Sequence, residues 1–296
     1  MRLKAFIIKG MLFICLLFCA DRAIGYGLKY LYDNQKDEEY FYASEAMERQ
    51  KCDIVILGSS RARNHYDPET LSDSLGLSCF NAGRSGHFLM YQSAQLHVML
   101  SRYIPKWIIL DIVPYDFTGG NNYDRLSVLL PYKSHKETHR FLKMRSTFEM
   151  WKCMSEIYPY NSMLLKLLPN LRDRGIFHKN GFQPLNGFYK GKKSISENDS
   201  TKTDEDKIEE FKRIIKLCKN KGIKLTIVTS PFYAEYKKQT STTKLVGQIC
   251  KEEGIEYFNF LNDKDFDDIS LYHSVDHLNA NGADIFTKKI AKQLKQ

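Results

Sequence analysis

The alternation of apolar and polar positions along the chain predicts strands and helices that follow one another in turn. Apolar runs typical of buried strands lie at 54–57, 78–81, 107–111, 225–228 and 257–260. Helical spacing of apolar residues occupies the intervals, at 68–75, 90–102, 203–221, 242–253 and 280–293. Strands that alternate with helices indicate an α/β fold: a three-layer sandwich with a parallel sheet of about five strands.

The middle of the chain interrupts this pattern. Residues 118–200 hold loop-forming glycines, scattered aromatic residues and helical stretches near 137–154 and 161–172. We interpret 118–200 as a mostly helical insertion and a candidate lid, which we expect to pack over the carboxyl edge of the sheet.

The N-terminus predicts a membrane segment. Basic residues at 2, 4 and 9 precede an apolar stretch at 11–20, and this asymmetry favours an N-inside, C-outside orientation. We assign 1–27 to an anchor or signal segment and 28–50 to a helical stalk. A cleaved signal peptide is the alternative. Phe18 favours an uncleaved anchor, because a cleavage site would require a small residue at this position. Residues 28–296 are then expected outside the cytoplasm.

Composition excludes several classes of protein. The 296 residues suffice for one large domain, here 51–296, and 43% of them are hydrophobic. The net charge of +9 is spread along the chain without a nucleic-acid-binding motif, so we expect no nucleic-acid partner. The seven cysteines form no C-x-x-C pair, and no phosphate loop or metal-ligand cluster accompanies them. We therefore expect no metal and no cofactor.

Two short segments carry the candidate chemistry. The first predicted strand runs into Gly58-Ser59-Ser60, and Asp276-His277 stands just before the last predicted helix. Ser60 lies at the carboxyl end of a predicted strand, where active groups of parallel sheets are found, and His277 lies in the loop before the last helix. Ser60 as nucleophile, His277 as general base and Asp276 as orienting acid would suffice for serine acyl chemistry. The alternatives are structural: Ser60 or Asp276 as a helix cap, and His277 as a loop histidine.

These segments resemble the SGNH (GDSL-like) hydrolase family, in particular its membrane-anchored, extracytoplasmic bacterial branch. The resemblance covers residues 52–296 outside the insertion. Gly58-Ser59-Ser60 matches the family's G-D-S triplet with serine for aspartate, and Asn81-Ala82-Gly83-Arg84-Ser85-Gly86 resembles its second block. His277 matches the histidine of the final D-x-x-H, although Ser274 stands where the family has its acid. The strand end at 111–116 lacks the asparagine of the third block.

The resemblance implies a flavodoxin-like SGNH fold and a serine esterase. Its oxyanion hole would use the backbone amides of Gly83 and Ser60, and its substrate would be acyl, chiefly acetyl, esters of a surface glycan. An O-acyltransferase with the same triad is the first alternative. A non-catalytic glycan-binding or assembly protein on a hydrolase scaffold is the second.

Other polar residues receive structural interpretations. Arg61 and Arg63 fit solvated or paired surface arginines better than ligands of an anionic substrate. Asp111 and Asp116 make only a weak metal signal. His65, His87 and His273 match no pattern and receive no predicted role.

Overall fold

The computed structural model describes residues 2–36, 38–118, 122–172, 179–196 and 202–295. Its α-helices are, in chain order, α1 Arg2–Asp33, α2 Glu38–Ser44, α3 Ser60–His65, α4 Pro68–Leu75, α5 Leu89–Leu100, α6 His139–Arg145, α7 Glu149–Lys152, α8 Leu164–Leu167, α9 Glu205–Asn220, α10 Ser241–Glu253 and α11 Ala280–Leu294. Its strands are β1 Ile54–Leu57, β2 Cys79–Asn81, β3 Trp107–Asp111, β4 Ser194–Ser196, β5 Lys224–Thr229, β6 Ala234–Tyr236, β7 Glu256–Asn259, β8 Tyr272–Ser274 and β9 His277–Leu278.

The central sheet confirms the predicted fold class. Five parallel strands pair in the order β2-β1-β3-β5-β7. Successive side chains of β1 enter opposite cores: Val55 and Leu57 pack in one apolar cluster, Ile54 and Ile56 in the other. Burial on both faces explains why the strands appear in the sequence as continuous apolar runs.

Local signals set the helix ends around the sheet. The Asp204 side chain accepts from the Asp206 amide at the start of α9, and Asn279 accepts from the Gly282 amide at the start of α11. Asn279, and not Asp276, therefore caps the last helix. At the end of α10, Gly254 has φ +64°, a left-handed conformation that glycine adopts without a Cβ penalty.

The chain divides into two compact units, 1–44 with 122–176 and 45–121 with 177–296. We call these the helical unit and the sheet unit. The predicted boundaries at 27 and 50 and the packing of the insertion over the sheet stay predictions. Residues 179–196 belong to the sheet unit, where the Gln183 amide donates to the Arg63 carbonyl at 2.9 Å and β4 pairs with β6.

The helical unit is built around the distal half of α1. Tyr32 is buried there, and its hydroxyl lies 3.0 Å from the Tyr132 hydroxyl, which also contacts the Ser44 Oγ. The helix predicted over 137–154 is interrupted because Ser146 begins a new turn, its Oγ accepting from the Phe148 amide. Pro169, which lacks an amide hydrogen, follows the short helix α8.

The N-terminal helix is unlike the others. Among the described residues, α1 alone is long and apolar enough to cross a membrane, and its most apolar stretch is not buried within the protein. Phe6 and Phe13, for example, are exposed. A signal sequence has the same length and composition.

Candidate active site

The turn after β1 presents Ser60. A Cβ on Gly58 would lie 2.5 Å from the Ala62 Cβ, so only glycine allows α3 to start so close to the strand end. The Ser59 Oγ accepts from the Arg61 amide and caps the helix. Ser60 is therefore the first residue of α3 and not its cap, and its own amide has no acceptor within the helix.

The hairpin β8–β9 presents His277 and Asp276. Ser274 pairs with His277 in this hairpin, so Val275 and Asp276 form a two-residue turn. The reversal brings the neighbouring acid and base together: the Asp276 Oδ1 lies 3.0 Å from the His277 Nδ1. The Ser274 Oγ donates to the Asp276 Oδ1 at 2.7 Å and lies 2.9 Å from the His277 Nδ1.

The two elements meet at the nucleophile. The His277 Nε2 lies 2.7 Å from the Ser60 Oγ, the separation that a serine–histidine pair requires. With Nδ1–H directed to Asp276, Nε2 is the unprotonated nitrogen that accepts from the serine hydroxyl. Hydrogen bonds from His277 and Ser274 lower the pKa of Asp276 against an opposing effect of burial. The carboxylate therefore stays ionised beside the imidazole.

The two predicted oxyanion donors differ. The Ser60 amide is at the first position of α3, whereas the Gly83 amide donates to the Asn81 Oδ1 at 3.0 Å. A Cβ on Gly83 would lie 2.5 Å from the Arg63 amide nitrogen, so close packing against α3 already requires glycine there. Donation from Gly83 to an oxyanion would need the Asn81 bond to open, and this role stays a prediction.

A buried polar network lies beneath the nucleophile helix. The Arg61 side chain is 1% exposed and donates to the Ser230 Oγ and carbonyl oxygen. The Asp111 Oδ2 accepts from the Tyr66 hydroxyl at 2.6 Å and the Ser230 amide at 3.2 Å. Burial raises the pKa of Asp111, while the Arg61 guanidinium opposes the shift.

This network corrects the sequence interpretation of two arginines. Arg61 and Arg63 are both buried and are not surface residues. Asp111 and Asp116 do not converge on a common site: Asp116 accepts from the Leu89 amide instead. Across the residues that the structure describes, no group of three or more His, Cys, Asp or Glu side chains is arranged to hold a metal ion.

His65 is a site residue that the sequence analysis missed. It is fully buried; its Nε2 accepts from the Leu278 amide at 3.0 Å, and its Nδ1 lies 3.1 Å from the Ser230 Oγ. Burial, with the nearby charges of Arg61 and His277, lowers the pKa of His65 well below its usual value, so the ring stays neutral. His65 thus ties the helix of Ser60 to the strand of His277. Only its place five residues after Ser60 on the same helix hinted at this role.

An aromatic row crosses the carboxyl edge of the sheet beside the candidate catalytic residues. The Arg61 guanidinium stacks 3.7 Å from the Phe232 ring centroid, and Phe232 contacts Tyr115 and Tyr236 edge-on. Burial raises the pKa of Tyr236 to about 12, and the charges of Arg61 and Asp276 also act on it. The row therefore extends from the nucleophile helix to β6.

A polar cavity continues the row at the end of β7. It has a volume of about 300 Å³ and is lined by residues 236–239, 243, 259, 261 and 262, with Lys237 and Lys238 among them. This volume is at the small end of the range of ligand pockets in proteins.

Comparison with known proteins adds a likeness of fold. No protein-family model matches the chain, and no curated protein matches it. A structure described as a lipolytic protein of the G-D-S-L family from Desulfitobacterium hafniense superposes with a TM-score of 0.43 at 9% identity, covering 81% of this chain and 97% of its own. One described as an acylhydrolase from Bacteroides fragilis superposes with a TM-score of 0.43 at 11% identity, covering 88% and 98%. At such low identity neither protein's activity transfers to this chain.

Proposed function

We propose that the protein is a serine esterase of the SGNH type, acting on acyl esters of a surface glycan from a membrane anchor. One observation carries the enzymatic part of the proposal. Ser60 Oγ, His277 Nε2, His277 Nδ1 and Asp276 Oδ1 form a continuous chain with separations of 2.7 and 3.0 Å between residues. Nucleophile, base and orienting acid in that order are the minimum for covalent acyl transfer.

The chemistry follows from this chain of atoms. The Ser60 Oγ attacks the acyl carbon while its proton passes to the His277 Nε2, and the imidazolium is stabilised by Asp276. The tetrahedral intermediate collapses as the leaving alcohol takes that proton, which leaves an acyl group on Ser60. Water then attacks the acyl-enzyme, gives a proton to His277 and releases the acid, and Ser60 regains the proton. The proposal assigns stabilisation of the oxyanion to the Ser60 amide, supported by its position as the first residue of α3, where an amide has no acceptor within the helix.

The glycan part of the proposal is supported by the surroundings of the nucleophile. Sugar rings stack on aromatic side chains, and the row offers the exposed Tyr115 and the partly exposed Tyr236 on either side of the buried Phe232. The polar cavity beyond Tyr236 offers lysine and amide groups to hydroxyls or anionic substituents. An acetyl ester on a chain of sugars would reach Ser60 while the flanking sugars occupy the row.

A fluorophosphonate probe tests the enzymatic part. The probe forms a covalent bond with an activated serine, so the full-length wild type should be labelled and Ser60→Ala should not. Ser59→Ala is the matched control, because Ser59 caps the same helix without contacting His277. An unlabelled wild type without activity on any ester would contradict the esterase and favour the non-catalytic glycan-binding protein.

A pair of substrates tests the glycan part. Tyr115→Ala, at a side chain 45% exposed, should raise KM for an acetylated oligosaccharide and leave hydrolysis of nitrophenyl acetate unchanged. Ile104→Ala is the control, since Ile104 is exposed before the amino end of β3, away from the carboxyl edge. Equal effects on both substrates would contradict the aromatic row as a sugar site. Transfer of the acetyl group from the donor ester to the hydroxyl of a second sugar, without release of acetate, would indicate an O-acyltransferase.

A reporter fusion tests the location. Alkaline phosphatase fused after residue 296 should be active in cells, because positive residues precede the apolar stretch and predict an outward C-terminus. An inactive phosphatase fusion together with an active cytoplasmic reporter would reverse the assignment.

A further inference from the structure

Within the helical unit, polar contacts fix the segment 154–156 to α1 at the end of its apolar stretch. The Arg22 Nη1 donates to the Glu156 Oε1 at 2.8 Å, and its Nη2 donates to the Met154 carbonyl oxygen. Asp21 accepts from the Glu156 amide at 2.9 Å and from the Ser155 hydroxyl. The segment 154–156 therefore lies directly against α1 where its apolar residues end.

The fit between these segments is close. A Cβ on Gly25 would lie 2.1 Å from the Glu156 Cβ, so only glycine allows this approach. Lys133 completes the contact, with its Nζ 2.9 Å from the Glu156 Oε2. The position of 154–156 along α1 is thus set by several independent contacts.

Large apolar side chains are exposed beside this contact. Phe148, Trp151 and Met154 are 69%, 74% and 64% exposed. The Met154 amide donates to the Trp151 carbonyl at 3.0 Å, and the Lys152 amide donates to the Phe148 carbonyl, so the three residues lie within two turns of each other. Exposed aromatic groups clustered in this way are uncommon on a surface that faces only water.

We propose that Phe148, Trp151 and Met154 form a membrane-contact surface that enters the lipid interface where α1 leaves the bilayer. The proposal rests on the membrane anchor proposed above. The apolar residues of α1 extend to Ala20, and Arg22, which also lies over the Phe18 ring at 4.6 Å, marks the level at which polar groups begin. The Met154 carbonyl accepts a hydrogen bond from Arg22, so the membrane-contact surface lies at the level where polar groups begin. Tryptophan is enriched at this level in membrane proteins.

The occupant is the bilayer, because the surface is continuous with the apolar helix. The polar interfacial layer is about 5–8 Å thick on each side of the hydrocarbon core, comparable with the length of one tryptophan side chain. Met154 belongs to this surface and is also the residue that Arg22 contacts, so the surface lies close to this layer.

Tryptophan fluorescence provides the experiment. The chain has two tryptophans, Trp151 and the buried Trp107. Full-length wild type and Trp151→Phe are reconstituted in phosphatidylcholine–phosphatidylglycerol vesicles with and without lipids brominated high on the acyl chain. The emission of Trp151 is the difference between the emission of wild type and that of Trp151→Phe. It should fall about twofold or more with the brominated lipids, since a ring at headgroup level contacts these lipids. Emission of Trp107 in the Trp151→Phe protein should be unchanged.

Moving the tryptophan provides the control. Met154→Trp in the Trp151→Phe background should restore quenching, and Leu165→Trp should not. Leu165 is 93% exposed, but it lies near Leu167, whose carbonyl accepts from Gln35. Gln35 lies two residues beyond the end of α1 at Asp33, which is eleven residues, or about 16 Å, along the helix from Arg22.

The outcomes separate this proposal from the others. Protein that floats with the vesicles but shows no Trp151 quenching would overturn the contact surface and leave the anchor standing. Protein that does not float would overturn both. Protection of Trp151 from acrylamide in detergent that depends on protein concentration would indicate a second copy of the chain as the occupant and overturn the proposal. Fluorophosphonate labelling reports the esterase separately in every case.

Discussion

The sheet unit and the helical unit differ in the side chains that they keep from water. The sheet unit buries Arg61, His65 and Asp111 beneath the nucleophile, each with hydrogen-bond or ionic partners. The helical unit exposes Phe148 and Trp151, although aromatic rings usually contribute most when buried.

Both departures from the usual rule have a physical reason. Burying a charge is costly unless partners compensate, so a buried network of this kind is retained where it orients reacting groups. Exposure of a large aromatic ring costs free energy only where the ring is in contact with water. The unusual burial in one unit and the unusual exposure in the other each lead to a functional proposal, and each proposal can be tested by substitution.

The largest expected effect concerns the pair at the end of the network. Ser60→Ala and His277→Ala should each lower kcat for a short acyl ester by about 10⁴-fold or more, because Ser60 is a weak nucleophile unless His277 takes its proton, and His277 has no nucleophile to activate without Ser60. The double variant should be no slower than the worse single one. Steady-state kinetics of the three proteins measure this, and additive losses would contradict a single catalytic unit.

Replacement of the orienting acid should cost less. Asp276→Ala should lower kcat by about 10²–10³-fold, because the imidazole loses its carboxylate but keeps the Ser274 hydroxyl within 2.9 Å. Asp276→Ala and Ser274→Ala are compared in the same assay, and Ser274→Ala should have the smaller effect. A larger loss from Ser274→Ala would make the serine the principal partner of His277.

The free energy of unfolding should depend on pH through the buried carboxylate of Asp116. Burial raises its pKa from 3.8 to about 6, a shift worth about 3 kcal/mol. The folded protein holds this proton more tightly than the unfolded chain. The stabilising contribution is therefore complete below pH 3.8 and is lost as the pH rises to about 6.

The matched variant is Asp116→Asn, which keeps an oxygen acceptor for the Leu89 amide. The free energy of unfolding of wild type relative to this variant should fall by up to about 3 kcal/mol between pH 4 and pH 7. Denaturant unfolding at several pH values measures it. Parallel pH curves for the two proteins would show that Asp116 is not the group responsible.

His65 should act on turnover and not on substrate binding. His65→Leu removes the acceptor of the Leu278 amide and should lower kcat by about 10–10²-fold with KM nearly unchanged, because His277 loses its alignment with Ser60. His65→Gln keeps an acceptor and should recover part of the rate. The control is His273→Asn, because His273 is exposed and lies in the β8–β9 hairpin that also carries His277. A fall in stability with normal kcat would assign His65 a purely structural role.

The smallest effect belongs to the helical unit. Trp151→Ser should change the free energy of unfolding by less than about 0.5 kcal/mol, because the ring makes no part of the core. Leu142→Ala, at a fully buried position of the same unit, should cost about 2–5 kcal/mol. Thermal unfolding in detergent compares the two. A large loss from Trp151→Ser would place this ring in the packing of the unit.

The sequence by itself determined the sheet, the candidate nucleophile and the candidate base. β1, β3 and most of β5 are buried on both faces, so their apolar runs were visible without structure. Gly58 and Ser60 follow one of these runs, and the position of a residue at a strand end depends only on local order along the chain. The apolar stretch of α1 was visible for the same reason.

Only the tertiary structure decided how the site is held together. The contact of Asp276 with His277 depends on a two-residue hairpin turn. Arg61 and His65 both contact Ser230, across 169 and 165 residues. The membrane-contact role proposed for Trp151 also depends on a distant contact, the hydrogen bond from Arg22 to the Met154 carbonyl across 132 residues. Local sequence patterns indicate which face of a helix or strand is apolar. They do not indicate which polar group, distant along the chain, will contact a given side chain.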